Sequence, residues 1–167
     1  MKYILETERL TLREFIPADA AFILELVNSP GWIQFIGDRN IKTTEQAIAY
    51  LENGPIKSYR ENRFGLAMVE TKDGKIPIGM CGIIKRDNLD SPDIGFAFLP
   101  EFTRKGYAFE IATATLAYAS SQLKLPIIYA ITVPDNIRSI SLLEKIGLKF
   151  IKKIRSPENE ELLLYSN

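Results

Sequence analysis

The run Asp93-Ile94-Gly95-Phe96-Ala97-Phe98-Leu99-Pro100-Glu101-Phe102-Thr103-Arg104-Lys105-Gly106-Tyr107-Ala108 carries an apolar strand into a glycine turn and straight on into a helix. The first N–H groups of a helix lack intrahelical partners, and the aligned peptide dipoles put partial positive charge at that end. A phosphate group fits there, and Gly106 lets the backbone come close to it. What is missing excludes other chemistry. The chain has no histidine, which removes the commonest general base and the commonest metal ligand, and with them Ser-His-Asp, Cys-His and histidine-zinc sites. Cys81 is the only cysteine, so no intrachain disulfide can form. In its apolar strand it reads as a small buried hydrophobe, because a reactive thiolate needs a cationic neighbour. Neither G-x-x-x-x-G-K-[ST] nor G-x-G-x-x-G occurs, which argues against a Walker loop or a dinucleotide fold.

The elements that must hold this turn can be read from periodicity. Arg9-Leu10-Thr11-Leu12-Arg13 alternates as a half-buried strand does, which gives Arg9 and Arg13 structural roles rather than substrate contacts. A helix follows over 17–27 with proline near its first turn, and Ser29-Pro30-Gly31 stops it. A loop with Trp32, Phe35, Ile36, Gly37 and Asp38 leads to a second helix, capped by Thr43-Thr44-Glu45-Gln46 and running toward Tyr59. Strands over 63–71, 75–86 and 92–99 form an antiparallel meander. The glycine-turn helix over 105–123 then leads to a buried strand over 127–133, which suggests a crossover. A helix over 136–146, a stop at Gly147 and strands over 148–154 and 161–165 complete the chain. The order βααβββαβαββ describes an α/β (α+β) fold: a mixed central sheet of about six to seven strands with helices on both faces, antiparallel early and parallel around the glycine turn.

Bulk properties narrow the partners. At 167 residues and 46% hydrophobic content, the chain suits one domain spanning 1–167. Lysine plus arginine equals aspartate plus glutamate, 21 against 21, so the long-range field that draws proteins to nucleic acid or anionic membrane is absent. No apolar run approaches the roughly 18 residues of a membrane span, and Met1 to Glu8 lacks the apolar stretch of a signal peptide, which points to the cytoplasm.

The order of elements, together with the residues around Gly106, resembles the Gcn5-related N-acetyltransferase (GNAT) superfamily across nearly the whole chain. Its turn pattern is arginine or glutamine, then x-x-Gly-x-Gly/Ala. Here Gly106 and Ala108 are kept, Thr103 stands at the arginine or glutamine position, and Arg104 stands where a first glycine is frequent. Two further stretches look like the RimJ/RimL-type branch: Thr7-Glu8-Arg9-Leu10-Thr11-Leu12-Arg13, and Pro134-Asp135-Asn136-Ile137-Arg138-Ser139-Ile140-Ser141-Leu142-Leu143-Glu144-Lys145-Ile146-Gly147-Leu148. The resemblance implies acetyl-coenzyme A as cosubstrate and no metal. It puts the pyrophosphate on the main-chain N–H groups of Arg104, Lys105, Gly106, Tyr107 and Ala108, the pantetheine arm along a strand flanked by Phe98 and Leu99, and Asn136 near the arm or thiol. The Arg104 and Lys105 side chains can add charge-assisted contacts.

Acetyl transfer to an amine needs a neutral nitrogen, a donor for the oxyanion and a proton for the departing thiolate. A protein α-amino group, with an ordinary pKa of about 7.7–8.0, suits a histidine-free site better than lysine at about 10.4. By resemblance, Asp93 takes the base position, with Glu70 and Glu101 as rivals; the bland alternative is that Asp93 satisfies turn hydrogen bonds. The tyrosine that often serves as acid is replaced by Leu143. Ser139 is the acid or thiol-binding candidate, and equally a residue in an Asn136-capped helix start. A main-chain N–H near Ala97 or Phe98 would hold the oxyanion. Trp32 and Phe35 resemble the family's acceptor-side wall, and Asp38 is placed to hold a cationic acceptor. The acceptor stays open between a protein N-terminus and a small amine such as an aminoglycoside, polyamine or amino-acid derivative. A coenzyme A-binding module without catalysis is the reading of another class, and pairing into a homodimer follows from the resemblance alone.

Overall fold

The computed structural model describes every residue from Met1 to Asn167. Short strand β1 (Tyr3–Glu6) hairpins into β2 (Leu10–Arg13), where alternation sends Leu10 and Leu12 to one sheet face and Thr11 and Arg13 to the other. A single 3₁₀ turn (Pro17–Asp19) then opens α1 (Ala20–Val27). The segment carrying Trp32 and Phe35, expected as a loop, is a short helix, α2 (Pro30–Phe35), with Pro30 at its first position. The helix expected to run to Tyr59 is two: α3 (Thr44–Asn53) and α4 (Pro55–Asn62). Pro55 has no N–H and restricts Gly54 before it, so the break falls between them. At the start of α3, Thr43 Oγ1 accepts the Gln46 N–H at 3.2 Å while Gln46 Oε1 accepts the Thr43 N–H at 3.1 Å, which is the expected capping box.

The meander β3 (Leu66–Thr71), β4 (Pro77–Ile84) and β5 (Asp93–Phe98) is antiparallel throughout. Helix α5 (Tyr107–Ser121) crosses over to β6 (Tyr129–Thr132), which lies parallel to β5; α6 (Ile137–Lys145), β7 (Lys149–Arg155) and β8 (Glu161–Ser166) follow. The sheet has eight strands in the order β1-β2-β3-β4-β5-β6-β8-β7, with β1 the strand that periodicity did not reveal. Two cores result, one per face. Leu10, Leu12, Val69, Ile83 and Ile94 pack with Ile111 and Ala112 of α5 and Leu143 of α6. On the other face Met68 and Met80 pack with Ile23, Leu26, Trp32, Ala47 and Leu51 of α1 to α3. No helix is long and apolar enough to cross a membrane.

A buried charge cluster ties α1 to the sheet. Arg13, its side chain 4% exposed, donates from Nη1 and Nη2 to both oxygens of Asp19 at 2.8 Å, and from Nε to Glu70 Oε1 at 2.7 Å. Asp19 also accepts the Ile16 N–H at 2.9 Å. These charge-assisted bonds hold the Arg13 guanidinium protonated and fix the entry angle of the helical layer.

Candidate functional site

Strands β5 and β6 pair in register only at Asp93 and Tyr129, where the Tyr129 N–H donates to the Pro92 carbonyl at 2.8 Å. Beyond that point they part. The Leu99 N–H donates to Ile78 on the β4 side at 3.0 Å. Because backbone groups alternate along a strand, those of Pro92, Ile94, Phe96 and Phe98 face β6. At Phe96 and Phe98 no strand is there to meet them, which leaves an open cleft in mid-sheet edged by free backbone groups. This explains why Phe96, Ala97 and Phe98 are only half-buried on a central strand, while Leu99 at its end is buried. Of the two main-chain groups expected near the oxyanion, the Ala97 N–H turns toward its β4 partner Met80, whereas the Phe98 N–H faces the cleft.

At the upper end of β5 a 3₁₀ turn (Pro100–Phe102) leads to Arg104 and Gly106 in left-handed conformations, φ +61° and +81°, and α5 begins at Tyr107. The main-chain N–H groups of Arg104, Lys105, Gly106, Tyr107, Ala108 and Phe109 donate to nothing within the chain. They form a row of free donors at the positive end of a four-turn helix, and the Arg104 and Lys105 side chains beside it are exposed. That row and the free β5 edge fit a diphosphate carrying an extended arm. Arg9 is built into the same turn. Its Nη1 donates to the Lys105 carbonyl at 3.0 Å, its Nε donates to Glu110 Oε2 at 2.7 Å, and its guanidinium lies 4.5 Å from the centre of the Tyr107 ring. Glu110 also accepts the Thr7 hydroxyl at 2.6 Å and the Arg9 N–H at 2.9 Å, which holds its carboxyl below the ordinary carboxylate value against the opposing effect of burial.

Asp93 sits at the closed end of the cleft, 1% exposed, on the sheet face shared with Ala97 and the α1 to α3 layer. Its Oδ1 accepts from Arg86 Nε at 2.9 Å, and its Oδ2 has no partner. Burial raises the Asp93 carboxyl above its ordinary value, and the Arg86 charge and hydrogen bond oppose that rise. The rival carboxylates lie elsewhere: Glu70 is engaged by Arg13, and Glu101 is exposed on the 3₁₀ turn. Tyr50 of α3, which sequence reading missed, is half-buried with a hydroxyl that bonds to nothing in the chain. Burial raises its pKa, while the Arg39 and Arg86 charges lower it.

On the opposite face, Asn136 Oδ1 accepts the Ser139 N–H at 3.2 Å and so caps α6. The cap uses the backbone of Ser139, leaving its half-buried Oγ unbonded. Asp93 and the helix carrying Ser139 thus lie on opposite faces of the sheet. Trp32 is buried in the α1 to α3 core with Nε1 unpartnered, and Phe35 is half-buried next to exposed Ile33 and Ile36. Asp38 is occupied in its own loop, accepting the Asn40 N–H at 2.8 Å and pairing with Lys42 at 3.3 Å; the backbone bond is the larger cause of its lowered pKa. Cys81 is fully buried with its thiol pushed up to about 12, chiefly by burial, so it stays inert. No three histidine, cysteine, aspartate or glutamate side chains converge to hold a metal.

An acetyltransferase domain model of the GNAT family matches residues 9–149, so the split sheet and its glycine turn belong to a GNAT acetyltransferase. Among the relatives, the uncharacterized N-acetyltransferase YoaA of Bacillus subtilis is 30% identical over 148 residues, 87% of this chain and 82% of its own. A GNAT-family acetyltransferase of Bacillus anthracis superposes with a TM-score of 0.79 at 26% identity, over 99% of this chain and 97% of that one. RimL, a ribosomal-protein α-N-acetyltransferase solved in complex with coenzyme A, superposes with a TM-score of 0.86 over 99% of this chain and 97% of its own, and at 12% identity it shares the fold.

Proposed function

We propose that this N-acetyltransferase moves an acetyl group from acetyl-coenzyme A to a primary amine within one ternary complex, and that its acceptors are the α-amino termini of proteins or peptides. The observation that carries this reading is the continuity of the site. Unpaired amides at 104–109 give way to the free β5 edge, which ends at a buried carboxylate with one oxygen unclaimed. The Arg104, Lys105, Gly106, Tyr107 and Ala108 amides hold the diphosphate, Phe98 and Leu99 flank the arm, and the Asn136 amide nitrogen remains free to donate to it.

Asp93 Oδ2, five residue steps along β5 from Phe98, removes a proton from the acceptor ammonium through a chain of waters in the cleft. The freed nitrogen lone pair forms the C–N bond at the thioester carbonyl, and the Phe98 N–H holds the oxygen on which charge collects. As the C–S bond breaks, Ser139 Oγ passes its proton to sulfur and takes up the second proton shed by the newly bonded nitrogen, so the hydroxyl is restored, while Asp93 returns its proton to solvent. In this reading Phe35 walls the acceptor side, with Trp32 buried in the α1 to α3 core, and because Asp38 is engaged with Asn40 and Lys42, Asp93 is the carboxylate that meets the amine. An α-amine needs little help to shed its proton near neutral pH, which suits a site with a single buried carboxylate and no histidine. RimL, which shares this fold, acts on a ribosomal protein's α-amine. The reading extends to one domain over 1–167, working in the cytoplasm and able to pair as a homodimer.

Release of free thiol from acetyl-coenzyme A over a panel of peptides, Nα-blocked peptides, diamines and aminoglycosides tests the acceptor. Turnover is expected with free α-amines and none with blocked peptides. Turnover confined to diamines or aminoglycosides would overturn the peptide assignment. Ser139→Ala is expected to lower kcat about 100-fold, the lower end of the acid–base range, with the melting temperature unchanged because alanine keeps the capped N–H. Asn136→Ala, by contrast, is expected to cost about 1 kcal/mol of stability through loss of the cap, measured by urea unfolding.

A further inference from the structure

Arg9 lies outside the turn by 96 residues of sequence, yet its guanidinium is fixed to that turn by a hydrogen bond, an ion pair and a ring contact. A peptide unit is planar and trans, so its C=O and its N–H point in opposite directions. The carbonyl of Lys105 and the N–H of Gly106 belong to one such unit. Pinning that carbonyl against Arg9 Nη1 therefore aims the Gly106 N–H the other way, away from Arg9, where it has no acceptor within the chain. Without this hold, a turn containing a left-handed non-glycine residue, Arg104, would sample other conformations at little cost.

We propose that Arg9 is a positioning residue for the acyl donor, holding the Lys105–Gly106 peptide so that its N–H meets the coenzyme diphosphate. The proposal rests on the reading that the diphosphate lies on this turn. Three contacts give Arg9 its geometry. Glu110, in the first turn of α5, takes Nε and the Arg9 main-chain N–H on its two oxygens. Tyr107 supports the guanidinium plane. Gly106 leaves room for the guanidinium, since a Cβ there would stand 3.3 Å from Nη2. Lysine cannot replace this arrangement, because one ammonium lacks the planar fork that reaches Glu110 and the Lys105 carbonyl together.

The test uses the full chain, with coenzyme A binding followed by calorimetry and acetyl transfer followed as thiol release. Arg9→Gln is expected to weaken coenzyme A binding and raise the acetyl-coenzyme A KM about tenfold or more, the scale of one charge-assisted hydrogen bond. The deficit should be recovered at saturating donor, with the acceptor KM unmoved. Arg9→Lys should behave like Arg9→Gln, and it carries the test alone if Arg9→Gln does not fold. Binding within twofold of wild type in the Arg9 variants would overturn the proposal. Full rescue by lysine would also overturn it, because charge alone would then suffice. So would a fall in kcat and melting temperature with KM unchanged, the mark of a merely structural residue. Gly106→Val separates the two levels of inference. If it abolishes coenzyme A binding while the Arg9 variants bind normally, the turn reading stands and Arg9 falls; if it too binds normally, the turn reading itself fails.

Discussion

Asp93→Asn is expected to lower kcat by about 10²–10⁴-fold, the range for loss of a positioned general base, with coenzyme A binding retained. The argument rests on one atom. Arg86 occupies Oδ1 and leaves Oδ2 as the only unclaimed carboxylate oxygen on the closed end of the cleft. Asparagine keeps the size of the side chain but cannot take up the ammonium proton. A variant with wild-type kcat would place the base elsewhere. The same residue sets a pH signature. Burial raises the Asp93 carboxyl above its ordinary value of about 3.9, and the proposed role as base requires the ionised form, so kcat/KM is expected to fall as pH drops through that raised value. Arg86→Gln removes the charge that opposes the rise, and the acidic limb should move to higher pH. Stability carries the opposite sign. The folded state binds this proton more tightly than the unfolded chain, so the contribution of Asp93 is fully present below about 3.9 and is lost as pH rises through the raised value.

Arg13→Ala is expected to destabilise the fold by about 3–5 kcal/mol, read as a lowered urea midpoint with an unchanged slope. Removing the guanidinium leaves Asp19 and Glu70 facing each other across a dry interior with no counter-charge, and it releases the turn that starts α1. Against a typical margin of about 5–15 kcal/mol, this is a large share of the total. Glu70→Gln should cost markedly less, because glutamine still offers an oxygen to Arg13 Nε. A larger loss from Glu70→Gln than from Arg13→Ala would contradict this account of the cluster. Donor binding by the fraction that remains folded should be normal, since the cluster and the glycine turn are separate.

The parts of the site that depend on local chemistry were legible in the residues. Gly106 at the end of an apolar strand announces a left-handed turn and a helix start, and Asn136 three residues before Ser139 announces a cap; both lie where expected. Pro55 after Gly54 carried the helix break, but the polar and apolar periodicity runs on through it and masks the signal. Strand β1 is four residues long and exposed at both ends, too short for alternation to register. What could not be read depends on which strands become neighbours. The Arg86–Asp93 pair closes across the polar loop between β4 and β5, and the assignment of Glu70 to Arg13 needs the β2–β3 register. The reach of Arg9 to Lys105 needs the N-terminal hairpin beneath the start of α5. Periodicity says which face a side chain takes, whereas these contacts depend on registry between segments remote in sequence.

The lone register pair between β5 and β6 makes the sheet two blades joined at a seam. Anything that lies along the β5 edge acts as a missing rung, so saturation with coenzyme A should raise the melting temperature and slow amide hydrogen exchange at Phe96 and Phe98 more than in the outer strands. The molecule would then be mechanically whole only while it is loaded.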